Sequence, residues 1–373
     1  MFRSTTTILL ACIICCASAA EDSQSESTPE QPSIGIVSED EVPDYLAPQN
    51  EHPEGAENAP AENELDDLLL YRIKQGLEYL SNQQAENGSF GRGRFSNHVA
   101  ITAIAGLAFM ADGHVPGRGR YGDQVQRAVE FILDSSQESG LIAADTVHGP
   151  MYGHGFATLF LGEIYGMSET DDRVREVLEK AVDLIVRTQN RQGGWRYQPV
   201  PVDADVSVTI CEVMALRSAR NAGIKVPRST IERAVRYVRE CQNQDGGFRY
   251  MIRMGASAWP RTAAGVAALF YAGIYEDDSI QQGLGYLVRT AMPGRSRIRQ
   301  SHYYYGQYYA TQAMYLAGGN WWRSWWGAVR EDLMQRQSGN GGWLDNQIGG
   351  AYSTAMALII LQMPKRYLPI FQR

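Results

Sequence analysis

One short pattern, Gln-x3-Gly-x-aromatic, occurs four times in this 373-residue chain. The copies are Gln84/Gly88/Phe90, Gln189/Gly193/Trp195, Gln242/Gly246/Phe248 and Gln337/Gly341/Trp343. Before each Gln runs a segment with apolar residues at helical spacing, as in AVDLIVRTQ and AVRYVRECQ. After each aromatic comes a segment that is small and apolar nearly all round. These second segments align on Thr102, Thr158, Thr209, Thr262, Thr311 and Thr354. The alignment gives six helix pairs, of which the second and fifth lack the Gln-Gly turn. A half-polar helix alternating with an apolar one packs with the apolar helices inside and the amphipathic ones outside. The pattern therefore predicts an all-α fold, an α/α toroid of six helical hairpins, spanning residues 68–373. The N-termini of the inner helices would share one mouth.

The N-terminal residues read differently. Arg3 followed by ILLACIICCASA and Ala17-Ser18-Ala19 has the form of a cleaved secretory signal over residues 1–20, so export to the periplasm or outside is expected. Leu9-Leu10-Ala11-Cys12 leaves a lipoprotein reading open. Residues 21–67 hold 15 Asp or Glu and no Lys or Arg, the composition of a disordered acidic leader. The whole chain carries −8, so the part after the leader is basic, at +6. Cys211 and Cys241 are the only cysteines beyond the signal; whether they pair is open. No transmembrane segment is expected.

Gln-x3-Gly-x-Trp after an apolar helix resembles the QW repeat of squalene–hopene and oxidosqualene cyclases. The six-hairpin ring resembles the β subunit of protein prenyltransferases. The resemblance covers about residues 68–363 and implies the toroid, with Gln and aromatic side chains tying each outer helix to the next inner one. Type II terpene cyclases use an Asp-x-Asp-Asp motif whose middle Asp protonates an alkene or epoxide. Asp203-Ala204-Asp205-Val206 stands in that place and lacks the last Asp. The prenyltransferase zinc motif, Asp-x-Cys, is missing.

Asp203, Asp205 and His154 are the catalytic candidates. The competing reading of either aspartate is a helix N-cap. Four residues before the aligned threonines stand His98, His154, Asp205, Ala258, Gln307 and Gly350, which predicts one rung carrying two histidines and an aspartate. Such a trio could also hold a metal, although no metal or other cofactor is expected. Tyr152 flanks His154, and Glu212 shares a helix face with Asp205. Arg196 and Arg249 each follow a turn aromatic and are expected at equivalent mouth positions. With Arg92, Arg94, Arg253, Arg295, Arg297 and Arg299 they suit an anion. Trp259, Tyr305, Gln307 and Tyr308 complete the binding candidates, with aromatic faces suited to a cation or an apolar chain.

A fold does not fix an activity. The expected function is an exported toroid whose hydrophobic, basic-mouthed cavity binds or acts on an isoprenoid-like ligand. The alternatives are a non-catalytic lipid-, glycan- or peptide-binding ring and a polysaccharide hydrolase or lyase. Hydrophobic or anionic small molecules are the expected partners, and nucleic acid is not. Asn320-Trp-Trp-Arg-Ser-Trp-Trp326 offers peripheral membrane contact, against the commoner reading of packing between outer helices.

Overall fold

The computed structural model describes residues 64–144, 149–167, 170–253, 255–295 and 302–372. Among these are twelve main helices and no extended strand. The inner six are α2 (Val99–Met110), α4 (Met151–Ile164), α6 (Val206–Asn221), α8 (Trp259–Tyr271), α10 (Tyr303–Ala317) and α12 (Gly350–Gln362). The outer six are α1 (Asp67–Ser81), α3 (Gly122–Asp134), α5 (Asp171–Thr188), α7 (Arg228–Glu240), α9 (Asp278–Ala291) and α11 (Gly319–Arg336). Every residue of α2 is buried, whereas α7 buries one stripe: Thr230, Ala234, Val235, Tyr237 and Val238. Each inner helix packs on the next, and α12 packs on α2, so the ring is closed.

The Gln-Gly turns are the joints of this ring. The amide of Gln189 donates to Gly193 O at 2.7 Å and to Thr230 O of α7 at 2.8 Å. Gln84 and Gln242 do the same toward α3 and α9. Gln337 donates to Gly341 O and to Arg72 O of α1, which joins the last outer helix to the first. The glycine is required by its left-handed conformation and by contact. Gly193 has φ 101°, and a Cβ there would lie 2.2 Å from Arg233 O. The aromatic then turns inward, and its backbone N–H donates to a threonine on the inner helix. Phe90, Trp195, Phe248 and Trp343 donate to Thr102, Thr209, Thr262 and Thr354 at 2.9–3.1 Å.

The second pair departs from the expected alignment. It keeps the glycine turn at Gly140 (φ 84°), with Ser136 in place of Gln and Ile142 in place of the aromatic. Ile142 N donates to His154 Nδ1 at 3.1 Å, so His154 fills the threonine's position. Thr158 lies one turn deeper, and its buried hydroxyl makes no hydrogen bond. In the fifth pair α10 begins after His302, and Thr311 accepts from Trp325 Nε1 of α11 at 3.1 Å. The expected rung is therefore split. His98 and Asp205 hold the N-cap positions of their helices, Asp205 alone with a capping side chain, while His154 and Gln307 sit a turn deeper.

Residues 1–63 lie outside the described residues, and with them the expected signal and most of the leader. The leader's last residues do not fit the expectation of an unattached segment. Glu64 accepts from Trp322 Nε1 at 2.8 Å, and Asp66 caps α1 and pairs with Arg330. The tryptophan run is mostly packing. Trp322 stacks on Trp326 at 5.0 Å, and Trp325 is fully buried. Cys211 and Cys241 are both free thiols. No helix among the described residues is long and apolar enough to cross a membrane.

Inside the ring, aromatic side chains meet where an open cavity was expected. Phe156 of α4 and Tyr308 of α10 approach across the ring, centroid to centroid, at 6.1 Å. Tyr305 and Tyr309 of α10 reach Ser207 O and Cys211 Sγ of α6 at 3.2 and 3.3 Å. At the far end, buried Glu163 of α4 accepts from Ser218 Oγ at 2.8 Å and from Ile370 N at 3.0 Å. It anchors the C-terminal turn Pro369–Phe371.

Candidate functional site around Asp205

The third turn places the site. Trp195 is pinned by its N–H to Thr209 and by its indole to Ile185 O at 2.7 Å. Trp195 O in turn accepts from Asp205 N at 3.0 Å, which fixes the loop between them. Asp205 then caps α6. Its Oδ1 accepts from Ser207 N at 2.9 Å, Val208 N at 3.0 Å and Ser207 Oγ at 2.5 Å. The cap reading of Asp205 is thus correct for one oxygen. The other oxygen, Oδ2, is buried and accepts no hydrogen bond from the described residues; Arg196 Nε stands 3.9 Å away. Asp205 is fully buried, and burial pushes its carboxyl up to about 6, against the opposing pull of its cap bonds and Arg196.

Arg196 pairs with Asp203, which is partly exposed at the rim. Its guanidinium lies 5.4 Å from the Tyr197 ring and 5.9 Å from the Tyr250 ring. The hydroxyls of Tyr197 and Tyr250 hydrogen-bond to each other. Tyr152 Oη donates to Ser207 Oγ at 2.6 Å, and Tyr305 donates to the carbonyl of the same serine. A buried carboxyl thus lies under four tyrosines and one arginine. Ser207, Tyr197, Tyr250 and Tyr309 were not among the sequence candidates. A signal for two of them exists: Trp195-Arg196-Tyr197 and Phe248-Arg249-Tyr250 repeat one order, and the repeated tyrosines are the pair that meets.

The other candidates disperse. Arg249 is not equivalent to Arg196, since its guanidinium donates to Glu240 O at the end of α7. His154 donates from Nε2 to Ala181 O at 3.2 Å while Nδ1 serves Ile142, so both ring nitrogens face outer structure. Burial pushes its imidazole down to about 4. His98 is half-buried beside the Phe95 ring at 5.6 Å. No group of three metal-binding side chains occurs among the described residues. Trp259 packs on Gly306 of α10, where a Cβ would lie 2.1 Å from its ring. Glu212 is fully buried two turns below Asp205, with neither oxygen hydrogen-bonded, and burial holds its carboxyl well above the usual range. Gln307 is likewise buried, its amide without a hydrogen bond. Tyr308 belongs to the aromatic filling of the ring. Arg94 bridges at the rim to Gln347 O, while Arg297 and Arg299 lie outside the described residues.

Comparison with known proteins agrees with this architecture. Residues 163–297 match the squalene-hopene cyclase C-terminal domain family. A drimenyl diphosphate synthase of Streptomyces showdoensis is 25% identical over 170 residues, 46% of this chain and 30% of that protein. The chain therefore spans less than a third of that relative's length. Among solved structures, the type II terpene cyclase MstE from Scytonema in complex with geranylgeranyl dihydroxybenzoate superposes with TM-score 0.57 at 16% identity. That match covers 81% of this chain and 98% of the cyclase. A cellobiose 2-epimerase from Bacillus thermoamylovorans superposes with TM-score 0.60 at 13% identity, covering 81% of this chain and all of the epimerase. The chain is an all-helical α/α toroid with a terpenoid-cyclase resemblance centred on its third and fourth repeats.

Proposed function

We propose that this terpenoid-cyclase-like toroid takes an isoprenoid-like ligand at its mouth and protonates it from Asp205. The observation that carries the reading is the unequal state of the two carboxyl oxygens. Oδ1 is committed to three donors, so the proton of the neutral acid resides on Oδ2. Burial keeps that acid neutral up to about pH 6. Transfer of its proton to an alkene uses the alkene's π pair for the new C–H bond and leaves a carbocation. The faces of Tyr152, Tyr197, Tyr250 and Tyr305 then supply negative quadrupole beside it. Loss of a proton from the cyclised cation closes the balance. The rim arginines suit an acidic head group, and the Scytonema cyclase, solved with a geranylgeranyl chain on a dihydroxybenzoate, supports that ligand class. Export is part of the reading and rests on the signal-like residues 1–20.

The test is incubation of the purified protein with geranylgeranyl diphosphate and geranylgeranyl dihydroxybenzoate, with products followed by mass spectrometry. At pH 5, wild type should yield cyclised products and Asp205→Asn none, at an unchanged melting temperature. Absence of product from both substrates, or full turnover by the Asn variant, sinks the proposal. Cello-oligosaccharides belong in the same assay, because the likeness to the epimerase favours sugar chemistry as the second reading.

A further inference from the structure

We propose a second ligand site, at the end of the ring away from the mouth, for an amphiphile with a phosphate or carboxylate head and an apolar chain. Three distant parts of the chain converge there: α1, the turn between α2 and α3, and the turn after α12. They enclose a cleft of about 260 Å³. Leu70, Ile73 and Leu77 of α1 make its apolar wall, and Lys74, Arg120 and Lys365 supply its cations.

The charges are not used up internally. Asp112 is held by Lys365 and by His114 Nε2 at 3.2 Å, so one cation is neutralised. Arg120 reaches Glu78 at 3.8 Å, but both side chains are more than half exposed, which makes the pair weak. Lys74 is exposed on α1. The cleft keeps net positive charge against an apolar wall.

Tyr121 is the independent sign of a ligand. It lines the cleft and is 5% exposed, yet its buried hydroxyl has no hydrogen-bond partner among the described residues. Its ring cannot readily turn to find one. Phe109 packs against it at 5.1 Å and His114 meets it edge-on at 5.1 Å. Buried hydroxyls are seldom left unpaired, and an oxyanion would satisfy this one while meeting Lys74 and Arg120. The neighbouring surface suits a chain: Leu70 of the apolar wall and Tyr367 are each at least 40% exposed. Tyr367 contacts Gly113 in the turn that carries Asp112 and His114.

Titration calorimetry of the full-length protein with octyl phosphate, inorganic phosphate and octanol tests this. Octyl phosphate should bind at one site at least tenfold tighter than either fragment. The double variant Lys74→Gln/Arg120→Gln should weaken it about tenfold, and Tyr121→Phe should weaken it severalfold, with melting temperatures retained. Arg196→Met, which removes a cation of the mouth, should bind it as wild type does, which separates this site from the mouth. Co-sedimentation with phosphatidylglycerol vesicles, lost in the double variant, would identify a bilayer lipid as the source. Octyl phosphate binding without co-sedimentation would identify a free amphiphile. Binding no tighter than that of phosphate or octanol, or binding indifferent to all three substitutions, overturns the proposal.

Discussion

The Nδ1 of His154 accepts the amide hydrogen of Ile142 at 3.1 Å, as the hydroxyl of Thr102 accepts that of Phe90 at 2.9 Å. A histidine thus performs a threonine's task in the second repeat. That task needs the neutral ring with its hydrogen on Nε2, where Ala181 O receives it. Protonation would put a donor against a donor. Burial accordingly lowers the imidazole from its ordinary 6.5 to about 4. A depressed folded value means the unfolded chain binds the proton first. The stability is complete above about pH 6.5 and is lost as pH falls toward 4, by about 3 kcal/mol in full. Urea unfolding of wild type and His154→Thr at pH 7.5 and 4.5 checks this. The variant should lose distinctly less stability on acidification; equal losses would refute the assignment.

The ring was legible because its joints are local. Gln, Gly and the aromatic lie within seven residues, and each joint needs all three in one order. Four intact copies, Gln84 to Gln337, therefore state the architecture. The site was less legible because threonine alone does not mark depth on an inner helix. Thr158 lies a turn beyond its joint and Thr311 sits correspondingly deep in α10, and aligning on them put His154 and Gln307 at the rim. The joint itself, Gly140 before Ile142, would have set His154 correctly. The exchange between Arg196 and Arg249 was not readable. Both follow the same motif, and what separates them is Asp203, which stands in the loop after Arg196 and has no counterpart beside Arg249.

The joint glycines should be intolerant of even one methyl group. Gly193 combines φ 101° with a would-be Cβ 2.2 Å from the Arg233 carbonyl, inside a helix that cannot retreat without opening the ring. Gly193→Ala should cost about 3 kcal/mol or more. Gly166 also has positive φ, at 85°, but meets nothing within 4 Å. Its alanine variant should cost only the conformational penalty, about 1 kcal/mol. Chemical denaturation of both variants checks the order. Similar losses would mean that contact with the neighbouring helix plays no part.

Glu163 gives a pH dependence of the opposite sign. Burial raises its carboxyl from 4.5 to about 7, although Ser218 and Ile370 both donate to it. The folded chain then holds the proton longer than the unfolded one, and stability falls as pH rises from about 4.5 to 7. Glu163→Gln can accept from Ile370 N and donate to Ser218 Oγ, while the single Ser218 hydrogen turns to Leu159 O, 3.1 Å away. The variant should keep the C-terminal turn and lose less stability across this range. Hydrogen exchange at Ile370 and Phe371, with unfolding followed from pH 4.5 to 7.5, reads both effects. A variant with a freely exchanging C-terminal turn would show that the charge, rather than the hydrogen bonds, holds it.

Asp205 carries two tasks, and they separate by substitution. As a cap it satisfies two backbone amides of α6 through Oδ1, and Asn caps about as well as Asp. Asp205→Asn should therefore unfold within about 0.5 kcal/mol of wild type at pH 5, where the carboxyl is mostly neutral. At pH 8 the wild-type carboxylate is a buried charge with one unsatisfied oxygen, and there the Asn variant should be the more stable. Asp205→Ala should cost about 1 kcal/mol at pH 5, because the cap is gone. As an acid the residue acts through Oδ2, and an amide has no proton of that acidity to give. Turnover should fall as pH rises through about 6 and should vanish in Asn and Ala alike. Arg196→Met removes the one cation within 4 Å of Oδ2 among the described residues, so the falling limb should move to higher pH while the melting temperature changes little. The measurement is a pH–rate profile beside denaturation curves for the three variants. A limb that stays in place without Arg196 would show that Asp205 is not the group titrating, and would leave it a cap.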